Sequence, residues 1–130
     1  MTENRKIINL CIATPCYGDS VTVEYLQSIS KLFPELEKRN IKFNFITVAT
    51  ESLITRARNG MMSNFLDNKD YTHLLFIDSD IEFDPISVVK LLQCDHDVVG
   101  GIYPLKKTNW DKIKINYKDY KKNGYEKLLH

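Results

Sequence analysis

Four consecutive apolar residues, Leu74 to Ile77, run directly into Asp78-Ser79-Asp80, and no other junction in the chain constrains its fold as tightly. An apolar run of this kind reads as a strand buried on both faces, the kind that belongs to a parallel α/β sheet. The acids follow where the run stops, at the strand's carboxyl end, the side on which open α/β sheets bind ligands. In extended backbone, residues two apart point the same way. Asp78 and Asp80 are therefore expected to share a side, with Ser79 facing the other. Two adjacent acids repel each other unless a cation lies between them, and hard oxygen donors suit Mg²⁺ or Mn²⁺. A divalent ion bridged to a diphosphate is the chemistry this junction points to. The plainer alternative is that both acids cap the helix opened by Pro85.

The chain carries its own control. Asp95-His96-Asp97 is a second Asp-x-Asp triplet, but it precedes the apolar pair Val98-Val99 instead of following one. That puts it at the amino-terminal edge of a strand, away from the ligand side, and it reads as a solvated turn.

Ile7 to Ala13 reads as a first strand, ended by Thr14-Pro15. The loop from Thr14 to Ser20 holds neither Gly-x-Gly-x-x-Gly nor Gly-x-x-x-x-Gly-Lys, which argues against a dinucleotide cofactor and against a P-loop. It offers a hydroxyl at Thr14, an aromatic face at Tyr17 and a flexible Gly18, which suit a base and ribose; a plain βα turn is the alternative. Leu26, Ile29, Phe33 and Leu36 recur at helical spacing and predict a helix over about 21–39, kinked or split by Pro34 and closed by Asn40. Phe43, Phe45, Ile46 and Val48 make the second strand. Ser52 or Thr50 is then expected to cap a helix whose apolar side is Leu53, Ala57, Met61 and Phe65. Arg56 and Asn59, three apart, share a face of that helix, with Arg58 turned away. Basic and amide groups so placed lie where an anionic ligand would sit.

Beyond Asp80, Pro85 opens a helix to about Gln93 with Val88, Val89 and Leu92 inward. Asp97 to Tyr103 is expected to form a further strand. Its adjacent Gly100 and Gly101 imply either a sugar ring lying against bare backbone or a β-bulge.

At 130 residues, with 43% hydrophobic and 27% charged content, the chain is expected to be a single domain spanning 1–130. No apolar run reaches membrane length and the first residues lack a signal-peptide pattern, so a cytoplasmic location is expected. Cys11, Cys16 and Cys94 lack Cys-x-x-Cys spacing and read as reduced thiols. The net charge of +1 hides an asymmetry: from Lys106 onward eight lysines face three acids, giving +5, so residues 1–105 carry −4. Aromatics interleave with those lysines, including Trp110, Tyr117, Tyr120 and Tyr125. Nucleic acid or an anionic membrane would suit such a tail, but an exposed edge with lysines for solubility is the favoured reading, and nucleic acid is not the expected partner.

Taken together, the Thr-Pro-x-Tyr loop, the Leu-Ile-x-Arg-Ala-Arg-Asn helix, Leu-Leu-Phe-Ile-Asp-Ser-Asp and Val-Val-Gly-Gly-Ile-Tyr-Pro-Leu-Lys-Lys resemble glycosyltransferases of the GT-A fold. More narrowly, the chain looks like the small family 2-like proteins of viruses, phages and bacteria, over about residues 7–110. The resemblance implies a Rossmann-like, mostly parallel sheet flanked by helices. It also implies transfer of a sugar from a nucleotide-diphosphate sugar to a glycan, protein or lipid acceptor, aided by Mn²⁺ or Mg²⁺. By motif, Asp80 corresponds to the direct metal ligand and Asp78 to the partner of the ribose or of a metal-bound water, with Ser79 between them in the nucleotide-sugar site. Thr14, Pro15 and Tyr17 correspond to the loop around the base, Glu51 to the acid after the second strand, and Arg58 with Asn59 to helix residues near the nucleotide. Gly100 and Gly101 belong to the expected sugar side, and Lys106 and Lys107 could help to stabilise the departing diphosphate.

The chain departs from the pattern in two ways. Larger family 2 enzymes end the second strand in paired acids, where this one has Ala49-Thr50-Glu51, and the acceptor half that supplies a general base is nearly absent. Asp111, Asp119, Glu126 and His130 are poor replacements, so a nucleotide-sugar-binding module without turnover, or one needing a partner chain or a second copy, is the main alternative. A haloacid dehalogenase-type phosphatase also sets Asp-x-Asp after an apolar strand. That motif wants Thr or Val where Glu82 stands, and it lies on the first strand.

Overall fold

A computed structural model describes residues 7–49 and 51–103. The chain divides into two units, Met1–Gly100 and Gly101–His130, and every described helix and strand lies in the first. Thr50, the Lys- and Tyr-rich tail and His130 lie outside the described residues. The first unit is α/β, with a three-stranded, wholly parallel sheet flanked by helices. In chain order the elements are β1 (Asn9–Pro15), α1 (Val23–Glu37), β2 (Lys42–Val48), α2 (Ile54–Asp67), β3 (His73–Phe76) and α3 (Pro85–Gln93).

The strand order is β2-β1-β3. Asn9 aligns with Lys42 and Pro15 with Val48, while Leu10 aligns with His73 and Ala13 with Phe76. The chain thus steps outward from β1 to β2, then crosses back over β1 to lay down β3. This reversal makes the carboxyl ends of β1 and β3 the topological switch point, where sheets of this order open a crevice. It also corrects the sequence reading of the centre. The strand buried on both faces is β1, buried from Leu10 to Pro15, whereas every residue of β3 is only half-buried.

The two faces of β1 serve different helices. Leu10 and Ile12 join Tyr25, Ile29, Leu32 and Leu36 of α1, Val88 of α3, and Ile77 in the main core. Phe33 extends it by stacking on Phe43 and meeting Phe45 edge-on. Cys11 and Ala13 alternate to the opposite face, where α2 buries Ala57 and Met61.

Helix α1 is registered on Tyr25, not on Leu26, which is exposed; the buried set is Tyr25, Ser28, Ile29, Leu32 and Leu36. Thr22 caps it, accepting a hydrogen bond from the Tyr25 N–H at 3.2 Å. Pro34 does not split the helix, which continues to Glu37; lying in the last turn, it removes one N–H donor only where the helix is about to end. Asn40 ends it as expected, at a positive φ of 55°. The Ile41 N–H reaches back to the Leu36 carbonyl and the Asn40 N–H to that of Glu37, the Schellman pattern.

Two further expectations change. Asp97–Tyr103 forms no strand: Val98 is 91% exposed and Val99 is exposed as well. Adjacent glycines add no side chain to hold a strand in place, and a β-bulge there falls with the strand itself. The solvated reading of Asp95-His96-Asp97 agrees with the structure, which puts all three exposed after α3. No described helix is long and apolar enough to cross a membrane.

Candidate functional site

Because all three strands run the same way, the loops that follow them meet at one edge of the sheet. After β1 come Cys16 to Val21, with a single 3₁₀ turn over Tyr17–Asp19 in which Gly18 takes a φ of 65°. Residues 49–53 follow β2, and Ile77 to Asp84 follow β3.

The loop after β3 is held against α1 at several points. The Thr22 N–H donates to the Ser79 carbonyl at 2.9 Å. The Phe83 N–H donates to Ser28 Oγ at 3.1 Å, and that hydroxyl donates to the Glu24 carbonyl at 2.9 Å. The Phe83 ring meets Tyr25 edge-on at 6.4 Å between centroids. At the far end Asp84 caps α3, accepting from the Ile86 N–H at 2.9 Å, with Pro85 in the first turn. The capping role therefore belongs to Asp84, which removes that explanation for Asp78 and Asp80. An Asp directly before Pro was the available signal.

The expected alternation of Asp78, Ser79 and Asp80 does not hold, since β3 ends at Phe76 and the Ile81 N–H closes a turn onto the Asp78 carbonyl at 3.2 Å. Within this turn Asp78 is half-buried and faces α2, while Asp80 is exposed. Arg58 Nη2 donates to Asp78 Oδ1 at 2.7 Å, with the two side chains 45% and 36% exposed. Helical spacing had turned Arg58 away in favour of Arg56 with Asn59. In the fold, Ala57 faces the sheet, and Arg56 and Arg58 leave from opposite flanks of α2 at 100° per residue. Arg58 reaches the loop after β3. Arg56 turns to Glu51, whose Oε1 is 3.5 Å from Arg56 Nη1. Asn59 is exposed.

Among the described residues, Ser52 does not cap α2; Leu53 takes the N-cap position and is exposed, not packed inward, and Thr50 lies outside them. The Glu51 carboxylate accepts the Leu53 N–H at 3.2 Å, which binds this acid to the helix start.

The loop after β1 divides into buried and open parts. Thr14, expected to offer its hydroxyl to a ligand, is fully buried, and its Oγ1 lies 2.5 Å from the Tyr25 hydroxyl. Pro15 is buried too. Tyr17 alone of the three presents a surface, 77% exposed. Tyr25 was the residue missed by reading the sequence: its ring lies in the core, yet its hydroxyl needs a partner, and Thr14 across the β1–α1 gap supplies one. Burial pushes the Tyr25 hydroxyl above its ordinary pKa; the Thr14 hydrogen bond pulls it down and nearby Cys16 pushes it up. Burial also raises Cys16, with Asp19 adding to the effect, which leaves it a poor nucleophile at neutral pH.

Gly100 has open space where a Cβ would stand, so no packing of the described chain requires glycine there. Gly101 begins the second unit.

The edge is strongly acidic. Asp19, Glu51, Asp78, Asp80, Glu82 and Asp84 outnumber Arg56 and Arg58 by four, so the local field favours a cation. No group of three metal-ligating side chains occurs among the described residues. Two carboxylates with no nitrogen or sulfur donor suit Mg²⁺ or Mn²⁺ when phosphate oxygens and water complete the coordination, and suit a protein-only cage poorly. The chain matches no family model, no curated protein and no solved structure.

Proposed function

We propose that this chain is a GT-A-type glycosyltransferase domain that binds a nucleotide-diphosphate sugar with Mg²⁺ or Mn²⁺ at the carboxyl edge of its sheet. The reading rests on one observation above others: Asp78, beyond β3, and Arg58, from the helix after β2, meet 2.7 Å apart beside the β1/β3 switch point. A carboxylate and a guanidinium in this position can divide the two charges of a metal–diphosphate ligand between them. Asp80, exposed beside them, would be the direct metal ligand, and Asp78 would hold the ribose or a metal-bound water. Tyr17 offers its ring to the base.

A bound metal would neutralise charge developing on the departing diphosphate. Arg58 serves the same end from the protein, exchanging its contact with Asp78 for a phosphate oxygen. The pinned backbone at Ser79 and Phe83 keeps the acids in place while this exchange occurs. The motif on the third strand instead of the first, with Glu82 two residues beyond the second Asp, weighs against a dehalogenase-type phosphatase.

Calorimetric titration of UDP and GDP, with and without Mn²⁺, tests the proposal. Metal-dependent binding that disappears in Asp80→Ala is expected. Failure of both nucleotides to bind under either condition overturns it. A sugar nucleotide that binds but is never consumed with any acceptor identifies a binding module instead of a transferase.

A further inference from the structure

A groove of about 660 Å³ opens away from the carboxyl edge, between the outer side of β2, the carboxyl-terminal half of α2 and the turn leading into β3. It exists because α2 lies over β1. Asn44 and Ile46 align with Cys11 and Ala13, so they face the same side of the sheet, but α2 spends its two buried residues, Ala57 and Met61, elsewhere. The β2 side is left open.

Apart from Ile46, the lining is polar. Asn44, Asn64 and Asn68 bring amides, and Asp67 and Asp70 bring carboxylates, around the ring of Tyr71. That ring is fixed, stacked on Phe65 at 6.0 Å and 7°, and its hydroxyl accepts from Asn44 Nδ2 at 2.6 Å. Asn68 Oδ1 accepts the Asp70 N–H at 3.0 Å, which leaves its amide N–H groups for another partner. Lys69, the single cation of the lining, donates to the Leu66 carbonyl at 3.0 Å. Two carboxylates and an engaged lysine disfavour an anionic ligand. Planar amides and carboxylates pair well with adjacent hydroxyls, and a rigid tyrosine offers a ring for the apolar face of a sugar. The volume lies within the range of about 300–1,000 Å³ usual for small-ligand sites.

We propose that this groove binds a neutral oligosaccharide, at a site separate from Asp78 and Asp80 and independent of the nucleotide-sugar reading. The test is titration of the ¹⁵N-labelled full chain with maltotriose, cellotriose and tri-N-acetylchitotriose, following the side-chain amides of Asn44, Asn64 and Asn68. At least one sugar is expected to shift these resonances saturably at about millimolar concentration. Asn64 and Asp67 are exposed helix residues, so Asn64→Ala with Asp67→Ala is expected to preserve the backbone spectrum while weakening binding roughly tenfold. Asp80→Ala is expected to leave it unchanged. No shift with any of the three sugars overturns the proposal, as does binding indifferent to the double variant. Binding lost with Asp80→Ala would assign the sugar to the carboxyl edge and overturn it too.

Discussion

Helices α1 and α2 pack on opposite faces of the same sheet and are held very differently. Helix α1 is capped by Thr22, closed by a Schellman turn and buries five residues, whereas among the described residues α2 lacks a side-chain cap and buries only Ala57 and Met61. Leu53, Ile54, Met62 and Leu66 on and beside α2 remain exposed. The contrast separates stability from chemistry: the α1 face holds the core and pins the acidic loop, while α2 carries both arginines of the carboxyl edge. A helix with little packing to satisfy is free to present its flanks to a ligand.

The sharpest way to break this comparison is paired truncation. Leu32→Ala, on the buried face of α1, is expected to cost about 2–5 kcal/mol in denaturant unfolding, and Met62→Ala, exposed on α2, about 0.5 kcal/mol or less. Equal costs would mean that α2 is packed far more heavily in solution than its exposure indicates.

Removing the hydroxyl that joins α1 to β1 should have a smaller effect. Tyr25→Phe leaves Thr14 Oγ1 buried without its partner and is expected to cost about 1–3 kcal/mol. Buried thiols and the buried Tyr25 hydroxyl make the fold sensitive to alkali. Burial raises Cys11 and Cys16 above the ordinary 9.0 and Tyr25 above 10.0. Each folded group keeps its proton where the unfolded chain has lost it, so the unfolded state binds fewer protons and stability falls as pH rises. Their contribution is complete below pH 9.0 and declines above it, first through the thiols and then through Tyr25. Thermal melts from pH 7 to 11 should show this decline, with the part above pH 10 reduced in Tyr25→Phe. A melting temperature that stays level across the range would contradict it.

The smallest effect on stability should come from the arginine at the site. An exposed ion pair contributes about 0–1 kcal/mol, so Arg58→Ala should melt close to the parent. Under the proposed function it should nonetheless weaken UDP or GDP binding in Mn²⁺ by roughly tenfold or more, through loss of a charge-assisted hydrogen bond to phosphate. Arg56→Ala, paired with Glu51 on the other flank, is the control expected to bind nearly as well. Reversed outcomes would return the phosphate to the Arg56 and Asn59 face that helical spacing alone favours.

Much of this architecture was legible in local pattern. The apolar run before Asp78 located the third strand, Pro85 opened α3 with Val88 and Val89 buried, and Asn40 closed α1. Pattern failed where two segments had to be brought together. Helical spacing shows that Arg56 and Arg58 diverge, but not which flank of α2 faces the loop after β3. The apolar run Leu-Leu-Phe-Ile looks central until β1, with its mix of Cys, Ala and Thr, is found between β2 and β3.

By itself, then, the sequence determined the types and order of the elements from β1 to α3, though not the absence of a strand at Asp97–Tyr103, and the appearance of acids just past the third strand, because backbone periodicity and turn chemistry act over a few residues. Only the tertiary structure decided that β1 is the middle strand, that Thr14 is committed to Tyr25, and that Asp78 meets Arg58. Those outcomes depend on where each crossover lays its helix on the sheet. The position is set by the packing of whole faces, which no short stretch of residues encodes.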